Sequence, residues 1–134
     1  MDFLTQIEFG ELKKLNLVEN GISDIKNLEF PNFKRLEILH LNSNKITNID
    51  ILEKTNFKYL KALYFDYNKI KDIKVLEKVK FNKLEILSLG SNQISDINIL
   101  EKVNFNELKK LCLYINSISD IKVFNKVKFE KLEI

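Results

Sequence analysis

Apolar and polar residues follow one another along the chain in a pattern that repeats every 24 residues. Each unit reads L-x-x-L-x-L-x-x-N-x-I-x-x-I-x-x-L-x-x-x-x-F-x-x, and the units succeed one another without insertion. The same period separates the Asn residues that follow each L-x-L segment, which are Asn20, Asn44, Asn68, Asn92 and Asn116. A fixed period of this length is typical of proteins built from stacked coils, in which each coil buries its apolar face against its neighbours.

The two halves of each unit predict different local structures. The L-x-L segment, as in Leu39-His40-Leu41, has the period of two that predicts a short strand with two apolar side chains turned inward. The second half places residues such as Ile73 and Leu76 at the spacing of a helix, and the pattern leaves open whether that helix is α or 3₁₀. Asp or Asn precedes the helical segment in every full unit, where a helix N-cap needs a side-chain oxygen: Asp24, Asn48, Asp72, Asp96 and Asp120.

Three further columns of the repeat are predicted to be structural. The Asn side chain carries both donors and acceptors, so we expect it to satisfy backbone groups at the turn of its own repeat and of the next one. The Phe residues recur with the same period and are predicted to form a packing spine. Opposite charges alternate just after the first Leu of each unit, so neighbouring strands should attract one another at Lys13, Glu37, Lys61, Glu85, Lys109 and Glu133.

The repeated unit resembles the leucine-rich repeat family. The segment Leu84-x-x-Leu87-x-Leu89-x-x-Asn92-x-Ile94 meets the family consensus L-x-x-L-x-L-x-x-N/C-x-L, and the resemblance covers essentially the whole chain. The second half of the unit is most similar to the short-repeat subclass of phosphatase regulators and bacterial internalins. The resemblance implies a fold of the α/β class, a right-handed solenoid with a parallel β-sheet on its concave face and short helical segments on its convex side.

The repeat predicts a single solenoid over residues 1–134. Residues 1–11 correspond to a partial N-terminal repeat, residues 12–131 to five full repeats and residues 132–134 to the start of a sixth. Terminal repeats normally need a polar cap, and no cap is visible at the C-terminal end of the sequence. We therefore expect either homo-oligomerisation through uncapped ends or a chain that is part of a longer array.

Function is expected at positions that the repeat does not prescribe, which are the outward positions of the strands and of the residues just after them. If the family geometry holds, these side chains cover the concave face, and Tyr is prominent among them. Aromatic side chains are frequent anchors of protein interfaces. The alternative, that neighbouring Tyr and Ile residues pack on one another because both favour strands, stays open. The predicted protein-binding residues are Ile38, His40, Tyr64, Asp66, Tyr67, Ile86, Ser88, Cys112 and Tyr114.

The sequence offers little for catalysis. His40 is the only histidine, and Cys112 lies three repeats away, at about 14 Å if the strands are neighbours. A Cys–His pair needs hydrogen-bond contact, so we expect no catalytic role for these residues. A polar cluster of His40 with Tyr64 and the diagonal Asp66 remains a hypothesis. No motif for a metal, a cofactor or a phosphate group is present, so we expect no cofactor and no enzymatic activity.

Composition narrows the class of protein. The 134 residues are 45% hydrophobic and 31% charged, which is typical of a folded protein rather than a disordered one. The net charge of +3 and the single arginine, Arg35, make nucleic-acid binding an unfavoured alternative. One Cys, no glycosylation sequon and no apolar run long enough to span a bilayer predict an intracellular, cytoplasmic protein without membrane contact. The leading hypothesis is a protein–protein interaction module that binds a protein or peptide, and its rival is a structural, self-associating repeat protein.

Overall fold

The computed structural model describes residues 9–29 and 33–133. They wind into successive coils, each of which contributes one three-residue strand and one 3₁₀ helix. The strands are β1 (Lys14–Asn16), β2 (Ile38–His40), β3 (Ala62–Tyr64), β4 (Ile86–Ser88) and β5 (Lys110–Cys112). The helices are η1 (Lys26–Glu29), η2 (Asp50–Lys54), η3 (Lys74–Glu77), η4 (Asn98–Glu101) and η5 (Lys122–Asn125). None of the helices in these two ranges has the length and apolar character needed to cross a membrane.

The strands form one parallel sheet in the order β1-β2-β3-β4-β5. Each strand residue pairs with the residue 24 positions later, so that Leu39 pairs with Leu63 and Leu63 pairs with Leu87. All three leucines are fully buried beneath the sheet, as the period of two predicts. Because the return segments of all coils lie on the other side of this apolar layer, the predicted stacking of 24-residue coils along one axis is confirmed.

The Phe column forms the predicted packing spine. The ring centroids of Phe9 and Phe33 are 5.3 Å apart, those of Phe33 and Phe57 are 5.8 Å apart, and those of Phe57 and Phe81 are 6.0 Å apart. These distances lie in the range of favourable aromatic contacts. From Phe9 to Phe81 each ring contacts its counterpart in the next coil, so one coil buries its apolar face only when another coil is stacked on it.

The Asn column is a ladder of side-chain to backbone hydrogen bonds. Asn68 accepts the Ile46 N–H at 3.0 Å and donates to the carbonyl oxygens of Leu41 and Phe65, both at 2.9 Å. Asn68 is therefore bonded to its own repeat and to the preceding repeat, whereas we predicted the next one. The amide bridges Leu41, which follows the preceding strand, and Phe65, which follows the strand of its own coil. The same pattern is repeated by Asn44, Asn92 and Asn116.

The predicted N-cap residues lie one position too early. The Asp72 carboxylate accepts the Lys74 N–H at 2.8 Å, but the residue at the cap of η3 is Ile73, with φ −120° and ψ 15°. Ile73 is buried, because the repeat needs an apolar side chain there for the core. The polar residue is thus displaced by one position and caps through a local turn instead. Equivalent bonds are made by Asp24, Asn48, Asp96 and Asp120.

A left-handed backbone conformation ends every strand segment, at the residue just before the ladder Asn. The positive φ angles are 59° at Glu19, 56° at Ser43, 57° at Tyr67, 52° at Ser91 and 48° at Ile115. This conformation is costly for residues with a Cβ atom, and more so for a β-branched one such as Ile115. Tyr67 and Ile115 are 58% and 74% exposed, whereas Ser43 and Ser91 in the same column are only partly exposed.

The last described coil presents apolar side chains that inner coils bury. Ile121 is 67% exposed, whereas its counterpart Ile97 is buried. Beyond this coil, the Glu133 N–H donates to the Lys109 carbonyl oxygen at 2.8 Å, which is the first contact of the predicted sixth strand. The predicted partial repeat over 1–11 falls mostly outside the described residues, as does Ile134.

Candidate functional site

The strand register sorts the concave side chains into rows that run across the coils. In the row through the last residue of each strand, His40 pairs with Tyr64, Tyr64 with Ser88, and Ser88 with Cys112. His40 and Cys112 are therefore three strands apart, as the repeat predicts. The row through the first residue of each strand contains Lys14, Ile38, Ala62, Ile86 and Lys110. All nine predicted binding residues lie in these rows or within three residues after a strand.

A hydrogen-bonded cluster lies at the centre of this face and is organised around Asp66. One carboxylate oxygen, Oδ1, accepts hydrogen bonds from the Ser88 hydroxyl at 2.7 Å, from the Tyr114 hydroxyl at 3.0 Å and from the Gly90 N–H at 3.1 Å. The backbone N–H of Asp66 donates to Asn42 Oδ1 at 3.0 Å. The cluster thus links four successive coils through side chains that the repeat does not prescribe.

Two predicted binding residues are buried rather than exposed. Asp66 and Ser88 are each only 6% exposed, because they bond to one another and are covered by neighbouring coils. Neither side chain pairs with His40, so the hypothesis of a His40–Asp66 cluster is wrong for the described structure. Sequence reasoning missed the true partners, because Tyr114 lies two coils after Asp66 in the same column and reaches it only across the intervening Gly90.

Tyr114 lies across Gly90 to reach Asp66. A Cβ atom at Gly90 would overlap Cζ and both Cε atoms of the Tyr114 ring, so the ring lies with one face against the glycine. The hydrogen bond to Asp66, with burial and the negative charge of the same carboxylate, raises the pKa of Tyr114 to about 12. Deprotonation would remove the donor and place two negative charges together, which is why the neutral phenol is favoured.

His40 stacks on Tyr64. Their ring centroids are 4.6 Å apart and the ring planes are inclined by only 4°. Burial of the imidazole lowers the pKa of His40, and the positive charge of Lys14 lowers it further. The neutral imidazole therefore serves as an aromatic neighbour of Tyr64, which confirms that the two residues lie side by side.

The aromatic strip predicted for this face is partly exposed. Tyr67 and Tyr114 are 58% and 47% exposed, whereas Tyr64, Ile38 and Ile86 are half-buried. Tyr59 is also exposed, but it lies outside the strands. There Lys83 Nζ lies over its ring, 4.4 Å from the ring centroid. The exposed aromatic surface of the concave face is thus concentrated in two residues beside the Asp66 cluster.

The convex side holds shallow grooves between successive 3₁₀ helices. One groove of about 900 Å³ is lined by Val75, Ile99 and exposed charged side chains. Some of those charges already neutralise one another, as in the pair formed by Lys78 Nζ and Glu53 Oε2 at 3.3 Å. Within the two described ranges, no three His, Cys, Asp or Glu residues are grouped so that they would hold a metal ion.

Comparison with known proteins identifies the family. Residues 11–54 and 58–102 match the family of leucine-rich repeats in its two-copy form. An internalin (inlF) from Listeria monocytogenes is 31% identical, with a TM-score of 0.56, over 84% of this chain and 37% of that one. A leucine-rich repeat protein from Leptospira interrogans is 26% identical, with a TM-score of 0.73, over 90% of this chain and 30% of that one.

A third structure shares the fold alone. The functional domain of InlJ from Listeria monocytogenes, which includes a cysteine ladder, is 21% identical, with a TM-score of 0.63, over 89% of this chain and 24% of that one. No curated protein matches the chain. The chain spans less than two fifths of each of these three solved proteins. The solved structures confirm the predicted leucine-rich repeat solenoid with its parallel sheet, and the family match covers more than half of the sequence. The chain therefore belongs to the leucine-rich repeat family.

Proposed function

We propose that this chain is a non-enzymatic interaction module that binds a protein or peptide partner through its concave face. Leucine-rich repeat solenoids typically present such a surface to other proteins. The observation that carries the proposal is the exposure of Tyr67 and Tyr114, which lie just after strands β3 and β5 at the Asp66 cluster. Exposed Tyr residues are effective interface anchors because they bury a large area and lose little side-chain entropy.

The site is held in place before any partner arrives. Tyr114 is fixed by its bond to Asp66 and by its contact with Gly90, and Tyr64 is stacked on His40. A preorganised surface loses less conformational entropy on binding than a mobile one. Two interpretations of the Tyr residues were open from the sequence: anchors of an interface and packing on neighbours. These contacts support both, since the aromatic residues pack on their neighbours and two of them remain exposed.

The dimensions of the sheet favour a slender partner. Five strands at a spacing of about 4.8 Å and a strand width of a few residues give a face on the order of 300–400 Å² in plan. A standard protein interface buries about 800 Å² per partner. A peptide, a helix or one part of a larger contact therefore fits this face. An intracellular, cytoplasmic location is part of the proposal and rests on composition only.

The proposal is tested by quantitative capture of partners from a cell extract of the source organism, followed by affinity measurement with the purified partner. We expect the double variant Tyr67→Ala/Tyr114→Ala to weaken binding at least about tenfold, because each anchor contributes on the order of 1–2 kcal/mol. The matched control is Tyr59→Ala, which removes an equally exposed Tyr outside the sheet. Equal affinity of a folded double variant and the wild type would contradict the proposal.

A second candidate function is self-association through the apolar end of the last described coil. The exposure of Ile121 and Phe124 at core positions favours it. Sedimentation at increasing concentration tests this candidate. A dimer that is lost in Ile121→Lys would support it, and a monomer at every concentration would contradict it.

A further inference from the structure

We propose that Asp66 and Tyr114 form a subsite on the concave face that binds one basic side chain, Lys or Arg, of a polypeptide partner. The inference rests on the proposed function and names the chemistry that this part of the face recognises. Three observations carry it: a buried carboxylate without a cationic partner, a carboxylate oxygen that makes no hydrogen bond and is not fully enclosed, and an aromatic ring held beside it.

Asp66 is a buried acid that lacks a counter-charge. It is the only charged side chain that is buried among residues 9–29 and 33–133. Its three donors, Ser88, Gly90 and Tyr114, are all neutral. The ion pairs formed by the described residues involve exposed or half-exposed side chains, and Asp66 takes part in none of them. A buried charge is costly unless it is paired, so a cation that reaches this carboxylate would supply the counter-charge that it lacks.

One oxygen of the carboxylate is available to a ligand. All three hydrogen bonds fall on Oδ1, and Oδ2 makes none with the described residues. Oδ2 is also not enclosed, since the only side-chain polar atom in this part of the chain that is fully buried without a partner is Ser91 Oγ. Oδ2 therefore keeps some contact with solvent, although Asp66 as a whole is only 6% exposed, and an N–H group that arrives from the concave side can donate to it.

The Tyr114 ring provides the second half of the subsite. One face of the ring covers Gly90, and the side chain remains 47% exposed, so part of the ring is accessible from solvent. The hydroxyl bond at 3.0 Å keeps this ring next to the carboxylate. A guanidinium or ammonium group above the ring gains a cation–π attraction and, at the same place, a charge-assisted hydrogen bond to Oδ2.

The surrounding charges restrict the kind of segment that fits. Lys14 and Lys110 are exposed at the first positions of β1 and β5, and Lys45 and Lys69 are exposed in the turns beyond the strands. None of the four forms an ion pair with Asp66 in the described structure. They repel a uniformly basic surface at distances within the Debye length. The partner segment is therefore one basic side chain flanked by neutral or acidic residues.

The test uses the purified chain and a small probe, N-acetyl-arginine amide, at constant ionic strength. The reporter is the backbone amide signal of Gly90 in a two-dimensional NMR spectrum, because this N–H bonds to Asp66. The Gly21 amide, in an exposed turn, is the internal control. We expect the Gly90 signal to shift with a dissociation constant on the order of 10 mM, and the Gly21 signal to stay in place. The neutral isostere N-acetyl-citrulline amide should bind at least about tenfold more weakly.

Two matched variants separate the charge from the fold. Asp66→Asn keeps an oxygen for the three donors and removes the charge, so it should weaken arginine binding at least about tenfold. Asp72→Asn removes a carboxylate from the opposite side and should bind as the wild type does. Asn already occupies the column of Asp72 at Asn48, so this control is compatible with the fold.

Several results would overturn the subsite. These are equal shifts with the arginine and citrulline probes, an undiminished shift in a folded Asp66→Asn variant, a shift with N-acetyl-aspartate amide instead, or no shift up to about 100 mM. The comparison of probes on the wild type decides the question even if Asp66→Asn does not fold. A captured partner that needs Tyr67 but binds Asp66→Asn normally would refute the subsite and leave the proposed function standing. If the Gly90 signal responded to the arginine probe but the captured partner bound outside the concave face, the subsite would stand and the proposed function would be refuted.

Discussion

Replacement of Asn68 by Ala tests the Asn ladder, which is the main polar support of the stacked coils. Asn68 is only 8% exposed, and its amide bonds join two repeats. In Asn68→Ala the N–H of the fully buried Ile46 loses its only hydrogen-bond partner. The carbonyl oxygens of Leu41 and Phe65 each lose one of two amide donors, because Asn44 and Asn92 also bond to them.

The magnitude follows from these losses. An unsatisfied buried N–H costs about 1–3 kcal/mol, and each partly compensated carbonyl adds a smaller amount. We therefore expect the free energy of unfolding of Asn68→Ala to fall by about 3 kcal/mol. The measurement is urea denaturation followed by circular dichroism, with the slope m compared between variants. An unchanged m would show that the loss belongs to the folded state rather than to altered compactness of the unfolded chain.

Asn20→Ala is the matched control for Asn68→Ala. Asn20 occupies the same column but is exposed, and its amide donates only to the Val18 carbonyl oxygen at 2.9 Å. We expect a loss of at most about 0.5 kcal/mol, as for most exposed positions. If the two variants were destabilised equally, or if Asn68→Ala lost less than about 1 kcal/mol, the ladder would not have the structural role assigned to it.

Three further predictions concern single positions. Ile115→Asn should raise the free energy of unfolding by about 1 kcal/mol, because Asn tolerates the φ of 48° better than a β-branched residue does; a thermal denaturation that shows no gain over Ile115→Val would contradict this. Gly90→Ala should displace the Tyr114 ring and return the pKa of Tyr114 from about 12 towards 10.0, as measured by ultraviolet titration. The control Gly10→Ala, at a glycine with open space around it, should leave that pKa unchanged. The pKa of His40 is lowered in the folded chain, so folding favours the neutral imidazole. The contribution of His40 to stability is therefore present above pH 6.5 and is lost as the pH falls through the folded pKa. His40→Gln should abolish this acid dependence, and an unchanged profile of unfolding free energy against pH would refute it.

The columns of the repeat could be predicted because each recurs in every coil and has one physical task. Leu63 and Phe57 are apolar at the period of the core, and Asn68 carries the donors and acceptors that a buried turn needs. The direction of the Asn bonds and the 3₁₀ form of the helices could not be predicted. An amide has donors and acceptors that suit either neighbouring repeat. Apolar positions at a helical spacing are compatible with either kind of helix.

The centre of the candidate site could be predicted in outline only. Tyr64, Tyr67 and Tyr114 were found because they occupy outward positions that the repeat leaves free. The bond of Tyr114 to Asp66 depends on the missing side chain at Gly90, which lies between them in a column whose residue differs in every coil, so the repeat gives no signal for it. The residues with a left-handed backbone were also not predictable, since Glu, Ser, Tyr and Ile all occupy that column and none of them favours a positive φ.

Hydrogen exchange of the chain with and without its captured partner tests most directly whether the concave face is the binding surface. Backbone amides that a partner covers exchange more slowly, so the protected peptides outline the contact. We expect added protection across β3 to β5 and the residues that follow these strands, around Tyr67 and Tyr114, with no change in η2 to η4. Protection confined to the 3₁₀ helices or to the last coil would contradict it.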